Sequence, residues 1–325
     1  MEFEPIQASG HPLCFKVLGR CVRIDCADSA LRAVLATNYA AMAELKEDVR
    51  FDLHYHVGRS GQSPGFVLSC PGESAQIADD AGDLLFLLEK DLVVALQRKR
   101  PDLLFLHSAA LDWRGKACLL AGESGAGKST TAWALLHHDF RYLSDELSPI
   151  DVDTLQVQAY PHALCLKEPP AAPYALPGDV LHLRRTIHVP TDTMPGTVVR
   201  EARPLAALFL LKYSPELRAP TLRAMHAAEA SAHLYVNALN ALAHSNRGLD
   251  AVVRIAEGLP CFAVAAADLP STCALIRSAM EQIGCASGST LRREPAHSAE
   301  SRARLRRPPR APRPRRSRRG DSAAR

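Results

Sequence analysis

The sequence predicts an α/β protein. Apolar runs of strand length alternate with amphipathic runs of helix length, and one strand–helix junction carries a glycine-rich loop. At 325 residues the chain suits one large domain or two smaller ones, long enough to bury a real core. Hydrophobic residues make up 47%, in the range of globular proteins, and no run of about 18 apolar residues is present, so no membrane span is expected. The start, Met1-Glu2-Phe3-Glu4-Pro5, is acidic and has no apolar segment of the kind a signal peptide needs. Nine cysteines are scattered without metal-ligand spacing, several in apolar stretches such as those around Cys118 and Cys261. They read as buried free thiols of a cytoplasmic protein.

The elements follow in order. Cys14–Cys26 alternates and reads as one or two strands. Ser29 is a candidate cap for a helix over about 30–46, with Leu31, Val34, Leu35 and Tyr39 on one stripe. Arg50–Val57 and Phe66–Cys70 read as strands, and Asp83–Arg98 as a well-buried helix built on Leu84, Leu85, Leu87, Leu88, Leu92, Val93 and Leu96. Residues 1–98 thus form a smaller N-terminal α+β region in which no chemistry-bearing motif is evident. Beyond it, Leu103–Trp113 reads as a strand, Arg114-Gly115-Lys116 as a tight turn and Ala117–Ala121 as a second strand. A helix is expected over Lys128–His137, then strands at Tyr142–Asp145 and Leu147–Asp151. The Pro-rich stretch 168–200 reads as a long, partly mobile loop. A strand at Ala206–Tyr213, a helix over Pro220–His244, a short helix at Val252–Glu257, a strand at Cys261–Ala266 and a closing helix at Pro270–Ile283 complete the chain.

The chemistry concentrates between 118 and 146. Gly122-Glu123-Ser124-Gly125-Ala126-Gly127-Lys128-Ser129 fits the phosphate-binding pattern G-x-x-x-x-G-K-[ST], preceded by an apolar strand and followed by a helix-forming run. The glycines let backbone N–H groups converge on anionic oxygens, and the helix N-terminus adds its partial positive charge. Lys128 is placed to reach β- and γ-phosphates, and the Ser129 hydroxyl to ligate Mg²⁺. The binding set therefore runs from Gly122 through Thr130, with ATP and Mg²⁺ as the ligands. Seventeen residues on from Lys128 comes Asp145, followed by Glu146. That spacing allows one helix and one return strand, which sets Asp145 at a strand's carboxyl end, where open α/β sheets bind ligands. Asp145 reads as metal ligand, general base, or both. Glu146 faces the other way if the strand continues, and is either a second metal ligand or a surface acid.

At this point the residues resemble a known family. His107, the loop G-E-S-G-A-G-K-S-T and Leu143-Ser144-Asp145-Glu146 are similar to the catalytic domain of HPr kinase/phosphorylase and its relatives, as are Arg203–Leu211, Leu259–Val264 and Asp268-Leu269. The resemblance covers roughly 100–283. It implies a P-loop core of the phosphoenolpyruvate-carboxykinase-like fold over 99–285, and transfer of a phosphoryl group from ATP, with Mg²⁺, to a protein serine. It gives Asp145 the role of proton acceptor and makes Ser129, Asp145 and Glu146 the candidate metal ligands. His107, ahead of the loop, would sense or neutralise the transferred phosphate, and Lys167, in Pro161–Lys167, would add positive charge nearby. Two departures stand out. The glycine-containing signature that follows in HPr kinases has no counterpart in Glu168–Gly178, and the N-terminal region has no match to the family; besides these, Glu146 stands where the family has its second Asp. The chain thus looks more like the HPr kinase-related proteins of bacteria, whose acceptors, protein or small molecule, are open. The family's hexamer raises the expectation of a homo-oligomer. A different class is also compatible: an ATP-binding regulator or scaffold that turns its nucleotide over slowly or not at all.

The charge is unevenly distributed. Residues 286–325 hold 13 Arg against Glu294, Glu300 and Asp321, a balance of +10, which leaves 26 Lys and Arg against 32 Asp and Glu, or −6, over the first 285. This Arg/Pro-rich tail reads as a disordered solubilising extension. No aromatics interleave with its arginines, so nucleic acid is not the favoured partner.

Overall fold

In the computed structural model, which describes residues 11–45, 49–59 and 65–289, the N-terminal layer starts with a hairpin. β1 (Leu13–Val17) and β2 (Arg20–Cys26) pair antiparallel across Leu18 and Gly19. α1 (Ser29–Asn38) follows, capped by Asp28, whose carboxylate accepts the Leu31 N–H. Ser29 is thus the first helical residue and not the cap. The helix ends at Asn38, earlier than the apolar stripe suggested, because the chain turns there into β3 (Ala43–Glu44), which pairs with β1. β4 (Leu53–Arg59), β5 (Phe66–Ser69) and β6 (Gln76–Ala78) complete a six-stranded sheet in the order β3-β1-β2-β4-β5-β6. α2 (Ala81–Lys99) packs on it through Leu84, Leu85, Leu88, Leu92 and Leu96. Asp80 caps this helix, and Arg98 and Lys99 sit in its last turn, where the dipole favours them.

Two strands, β7 (Leu103–Leu106) and β8 (Ala109–Trp113), replace the single one expected over 103–113. The break falls at His107-Ser108, where the chain leaves one flank of the main sheet for the other. β8 returns into β9 (Lys116–Ala121) through Arg114 and Gly115, both at positive φ. Then come α3 (Lys128–Leu136), β10 (Arg141–Ser144), β11 (Ser148–Asp151), β12 (Gln156–Val157) and β13 (Leu164–Leu166). The stretch expected as a long mobile loop contains β14 (Leu181–His182) and β15 (Ile187–Val189), which form a small sheet with β13. It is held partly by burial of Tyr174, whose carbonyl accepts the Trp133 indole N–H at 3.0 Å. β16 (Arg203–Tyr213) is followed by β17 (Thr221–Ala224) and α4 (Ala227–Val236), not by one helix over 220–244. Edge pairing with β18 wins over helix formation at 221–224, where only Leu222 has a packing role. α5 (Leu249–Gly258), β18 (Cys261–Ala266) and α6 (Leu269–Ser289) finish the described chain. α6 thus runs past Ile283 into the first four residues, 286–289, of the stretch expected as a disordered tail; the rest of that stretch, from residue 290, lies outside the described residues.

The main sheet runs β10-β8-β9-β16-β12-β11-β7, with β18 and then β17 along the far half of β16. β9, β16 and β18 are parallel neighbours. α3 and α6 cover one face and α4 and α5 the other, as the two core clusters show. β9 is buried on both sides: Cys118 and Leu120 face α3 and α6, while Ala117, Leu119 and Ala121 face α4 and α5. The N-terminal core is continuous with this body through Leu103, Phe105, Leu147 and Tyr160. Among the described residues no helix is long and apolar enough to cross a membrane.

β7 would present a bare edge, and the segment after α4 covers it. The Leu239 N–H bonds the Phe105 carbonyl, and the His107 N–H bonds the Asn237 carbonyl, each at 2.8 Å. Buried Asn240 accepts the Phe105 N–H and donates to the Leu103 carbonyl, both at 2.9 Å. Asn240→Ala strands the Phe105 N–H, while the Leu103 carbonyl keeps the His244 ring at 3.1 Å, so the variant is expected to lose about 1–3 kcal/mol of stability in urea unfolding.

Candidate phosphate-binding site

The sheet topology brings the site together. β8 is antiparallel to both β9 and β10, so β9 and β10 run the same way and their carboxyl ends open on one edge. Ser144 lies opposite Ala110, which lies opposite Leu119, so Asp145 emerges within about two residues of the level at which the glycine loop begins.

The loop Gly122–Gly127 links β9 to α3. Gly122 sits at φ 147, and a Cβ there would come within 2.5 Å of the Leu211 carbonyl oxygen of β16. Gly125 and Gly127 are left-handed, at φ 86 and 88, and Gly127 is the cap residue of α3. Glu123, Ser124 and Gly125 form the exposed crest, Ala126 is tucked beneath it, and Ser129 and Thr130 are half-buried in the first turn of the helix. Lys128 is 8% exposed, and its ammonium donates to the Gly122 and Glu123 carbonyls at 2.9 and 3.2 Å. Burial is the main reason its pKa lies below the ordinary lysine value; Asp145 and Glu146 oppose that shift.

Asp145 is the first residue past β10 and is 1% exposed. Ser129 donates its hydroxyl to Oδ1 at 3.0 Å, and the Cys165 backbone N–H donates to Oδ2 at 3.1 Å. Burial, with Glu146 adding, pushes the carboxyl from 3.8 up to about 6, while His162, the Cys165 N–H and the Ser129 hydroxyl pull it back. Glu146 does not continue a strand. It is exposed, at φ 62, at the centre of a three-residue turn closed by the Leu147 N–H and the Asp145 carbonyl at 2.8 Å. A non-glycine residue in that conformation is strained, and such strain concentrates at functional positions.

His107 occupies the break between β7 and β8, and Asp145–Leu147 the break between β10 and β11. Buried Ser108 and Ser148 staple the two breaks: the Ser108 hydroxyl donates to Ser148 Oγ at 2.8 Å, and Ser148 donates to the Ser108 carbonyl at 3.0 Å. The half-buried His107 ring is therefore near the acids. Burial chiefly holds its pKa below the ordinary value, with the charges of Lys128 and Lys167 acting the same way and Glu146 against. Lys167 extends from the end of β13 to the loop crest, where Nζ donates to Ser124 Oγ at 3.1 Å. The predicted set is thus assembled at one place, as is Lys167.

Sequence reasoning missed two members. His162 is buried, and its Nε2–H donates to the Asp145 main-chain carbonyl at 2.9 Å, which fixes the ring's tautomer. Cys165 contributes only a backbone N–H, and its thiol, 3.4 Å from His188 Nδ1, is held protonated chiefly by burial. A backbone donor leaves no compositional trace. His162 stands in the Pro161–Lys167 stretch singled out for Lys167, and that was its only signal.

Two predictions follow from this geometry. Gly122→Ala clashes with β16 and is expected to cost clearly more thermal stability than Gly125→Ala, which meets open space and pays only about 1–2 kcal/mol of left-handed strain. The raised Asp145 pKa means that the folded state holds this proton more tightly than the unfolded chain. Its contribution to stability is full below about pH 4 and is lost as pH rises through about 6. Asp145→Asn should therefore unfold at higher urea than wild type at pH 7.5, by up to about 3 kcal/mol, the gap closing toward pH 4.

No family model matches the sequence, and no curated protein matches it. Among solved structures the chain is similar to the HPr(Ser) kinase/phosphatase from Coxiella burnetii, at 15% identity and a TM-score of 0.30, over 58% of this chain and 99% of that one.

Proposed function

We propose that this chain is an ATP- and Mg²⁺-dependent phosphotransferase of the HPr kinase type, built on a phosphoenolpyruvate-carboxykinase-like P-loop core, that moves the γ-phosphoryl group of ATP to a hydroxyl, by preference that of a protein serine. The observation that carries the reading is Asp145. It is a buried carboxylate with a near-neutral pKa, 3.0 Å from Ser129 in the first turn of the helix that follows the glycine loop. A group so tuned suits proton acceptance from an alcohol at physiological pH.

The residues present fit a magnesium ion. Ser129 Oγ and Asp145 Oδ1 are hard oxygen donors side by side, and Glu146, one residue on, would supply a second carboxylate as the third donor. When bound, Mg²⁺ would neutralise charge on the β- and γ-phosphates. The protein's own share of the chemistry is positioning. The Gly122–Gly127 amides and the α3 N-terminus orient the triphosphate, and Lys128 exchanges its loop carbonyls for phosphate oxygens. His107 stays neutral beside two lysines and offers the phosphoryl group a hydrogen bond, while Lys167 closes over the crest. Asp145 takes the acceptor's proton as the phosphoryl group moves.

The second reading, a nucleotide-binding regulator, is favoured by one feature. Lys128 and Ser129 are both satisfied internally, the first by loop carbonyls and the second by Asp145, so the loop is stable with its key groups turned inward.

The fate of ATP labelled at the γ-phosphate separates the two. Label on a protein or small molecule, seen by mass spectrometry as a gain of about 80 Da, is the kinase outcome. Tight binding without turnover is the regulator outcome. For the kinase, Asp145→Ala should lower the transfer rate by about 10²–10⁴ while ATP still binds. Full transfer by that variant would remove Asp145 from the role. Absence of any ATP-dependent heat in calorimetry would remove the phosphate loop as well.

A further inference from the structure

The N-terminal sheet carries a constellation unrelated to the phosphate loop. β2 and β4 are parallel neighbours, with Arg23 opposite His54 and Asp25 opposite His56. The alternation of strand side chains sends Val22, Ile24, Leu53, Tyr55 and Val57 into the core beneath α2. Arg23, Asp25, His54 and His56 all project from the other face. Asp25 Oδ2 lies 2.5 Å from His54 Nε2 and 3.4 Å from His56 Nδ1, and the two rings are 4.2 Å apart between centroids. The three donor atoms fall within 4.8 Å of one another. The carboxylate's two oxygens are divided between its neighbours: Oδ1 takes Arg23 Nε and Nη2, at 3.0 and 2.9 Å, so that Oδ2 is turned toward the imidazoles.

We propose that Asp25, His54 and His56 form a binding site for a divalent transition-metal ion of the zinc class, on the outer face of the N-terminal sheet. Two imidazoles and a carboxylate are the donor set of Zn²⁺ and Co²⁺ sites, and too nitrogen-rich for Mg²⁺ or Ca²⁺. With metal–donor bonds of about 2.0–2.1 Å, donors on a tetrahedral ion sit about 3.3 Å apart. The Asp25–His56 distance already meets this, and His54 must withdraw by roughly 0.8 Å. Its side chain is 37% exposed, so it has room to do so. Arg23 serves as the outer partner that fixes the carboxylate's orientation, as hydrogen-bonded neighbours of ligands do. The exposure of both histidines, 37% and 36%, leaves a fourth position open to water or to a group from a partner. Asp25 is buried and the histidines half-buried, but none of the three belongs to the hydrophobic cluster beneath α2, so the site can be emptied without unfolding the chain.

The test uses the untagged full chain, because an affinity tag of histidines would bind the same ions. Co²⁺ titration should give saturable visible d–d absorption at one equivalent, which Zn²⁺ displaces and Mg²⁺ does not. His54→Gln and His56→Gln should each weaken Co²⁺ binding at least tenfold, and the double variant should abolish it, with far-ultraviolet circular dichroism unchanged. X-ray absorption of the zinc-loaded wild type, which needs no variant, should show two imidazole nitrogens and a carboxylate oxygen. No spectral change on titration, binding that survives in the double variant, or an absorption spectrum without two imidazoles overturns the proposal. ATP binding by the phosphate loop is read separately and is expected to be unaffected by the histidine variants.

Discussion

Asp145 is a buried carboxylate, and a buried charge persists only where fixed donors replace the water it has lost. Here there are two such donors, the Ser129 hydroxyl and the Cys165 amide, and they belong to different parts of the fold. Ser129 starts α3, while Cys165 lies on β13, after the chain has passed through β11 and β12. The carboxylate can be satisfied only when the glycine loop, β10 and the small sheet are all in place. Two donors are also fewer than a carboxylate can accept, and that shortfall is why its proton affinity rises toward neutrality. The raised proton affinity of Asp145 and its incomplete solvation are one physical fact.

The N-terminal layer contributes to this arrangement from a distance. Asn38, at the end of α1, accepts the Ala163 N–H on its carbonyl at 2.8 Å, its Oδ1 is 3.0 Å from His188 Nδ1, and its Nδ2 donates to Glu89 on α2. Glu89 in turn accepts the Tyr160 hydroxyl. His188, its pKa pushed down to about 4 by burial, is neutral and packs against the Cys165 thiol. A chain of buried polar contacts therefore runs from α1 to the residue whose amide holds Asp145. The layer without any recognisable motif thus braces the segment that supplies the Cys165 amide.

What the sequence made legible, and what it did not, divides by the range of the interactions concerned. The glycine loop, its strand and its helix were legible because Gly122, Gly125 and Gly127 are demanded by local backbone geometry. α2 and β18 were legible from periodicity. The break at His107-Ser108 was not, because it depends on two distant serines meeting and on which flank of the sheet each strand joins. Nor was β17, whose strand character comes from the edge of β18 and not from its own residues. In the candidate site, Lys128, Ser129 and Asp145 could be assigned from spacing. The left-handed turn at Glu146, the ring of His162 and the amide of Cys165 could not, since each is defined by tertiary surroundings. His54 and His56 illustrate the same limit: a His-x-His pair on a strand gains meaning only when Asp25 arrives from the next strand in register.

The place of β16 in the sheet has a consequence for how the molecule is made. This strand lies at 203–213, yet it is the parallel partner of β9, which is finished by residue 121. More than eighty residues must be synthesised before Cys118–Ala121 can pair on its second side. During that interval the growing polypeptide holds an apolar strand with one open edge beside the glycine loop. Pairings so remote in sequence close slowly, and exposed strand edges invite association with other chains. The central strand thus makes assembly of the main sheet late: β9 gains its second neighbour only when β16 has emerged, and β16 in turn waits for β18 and the covering helix α6.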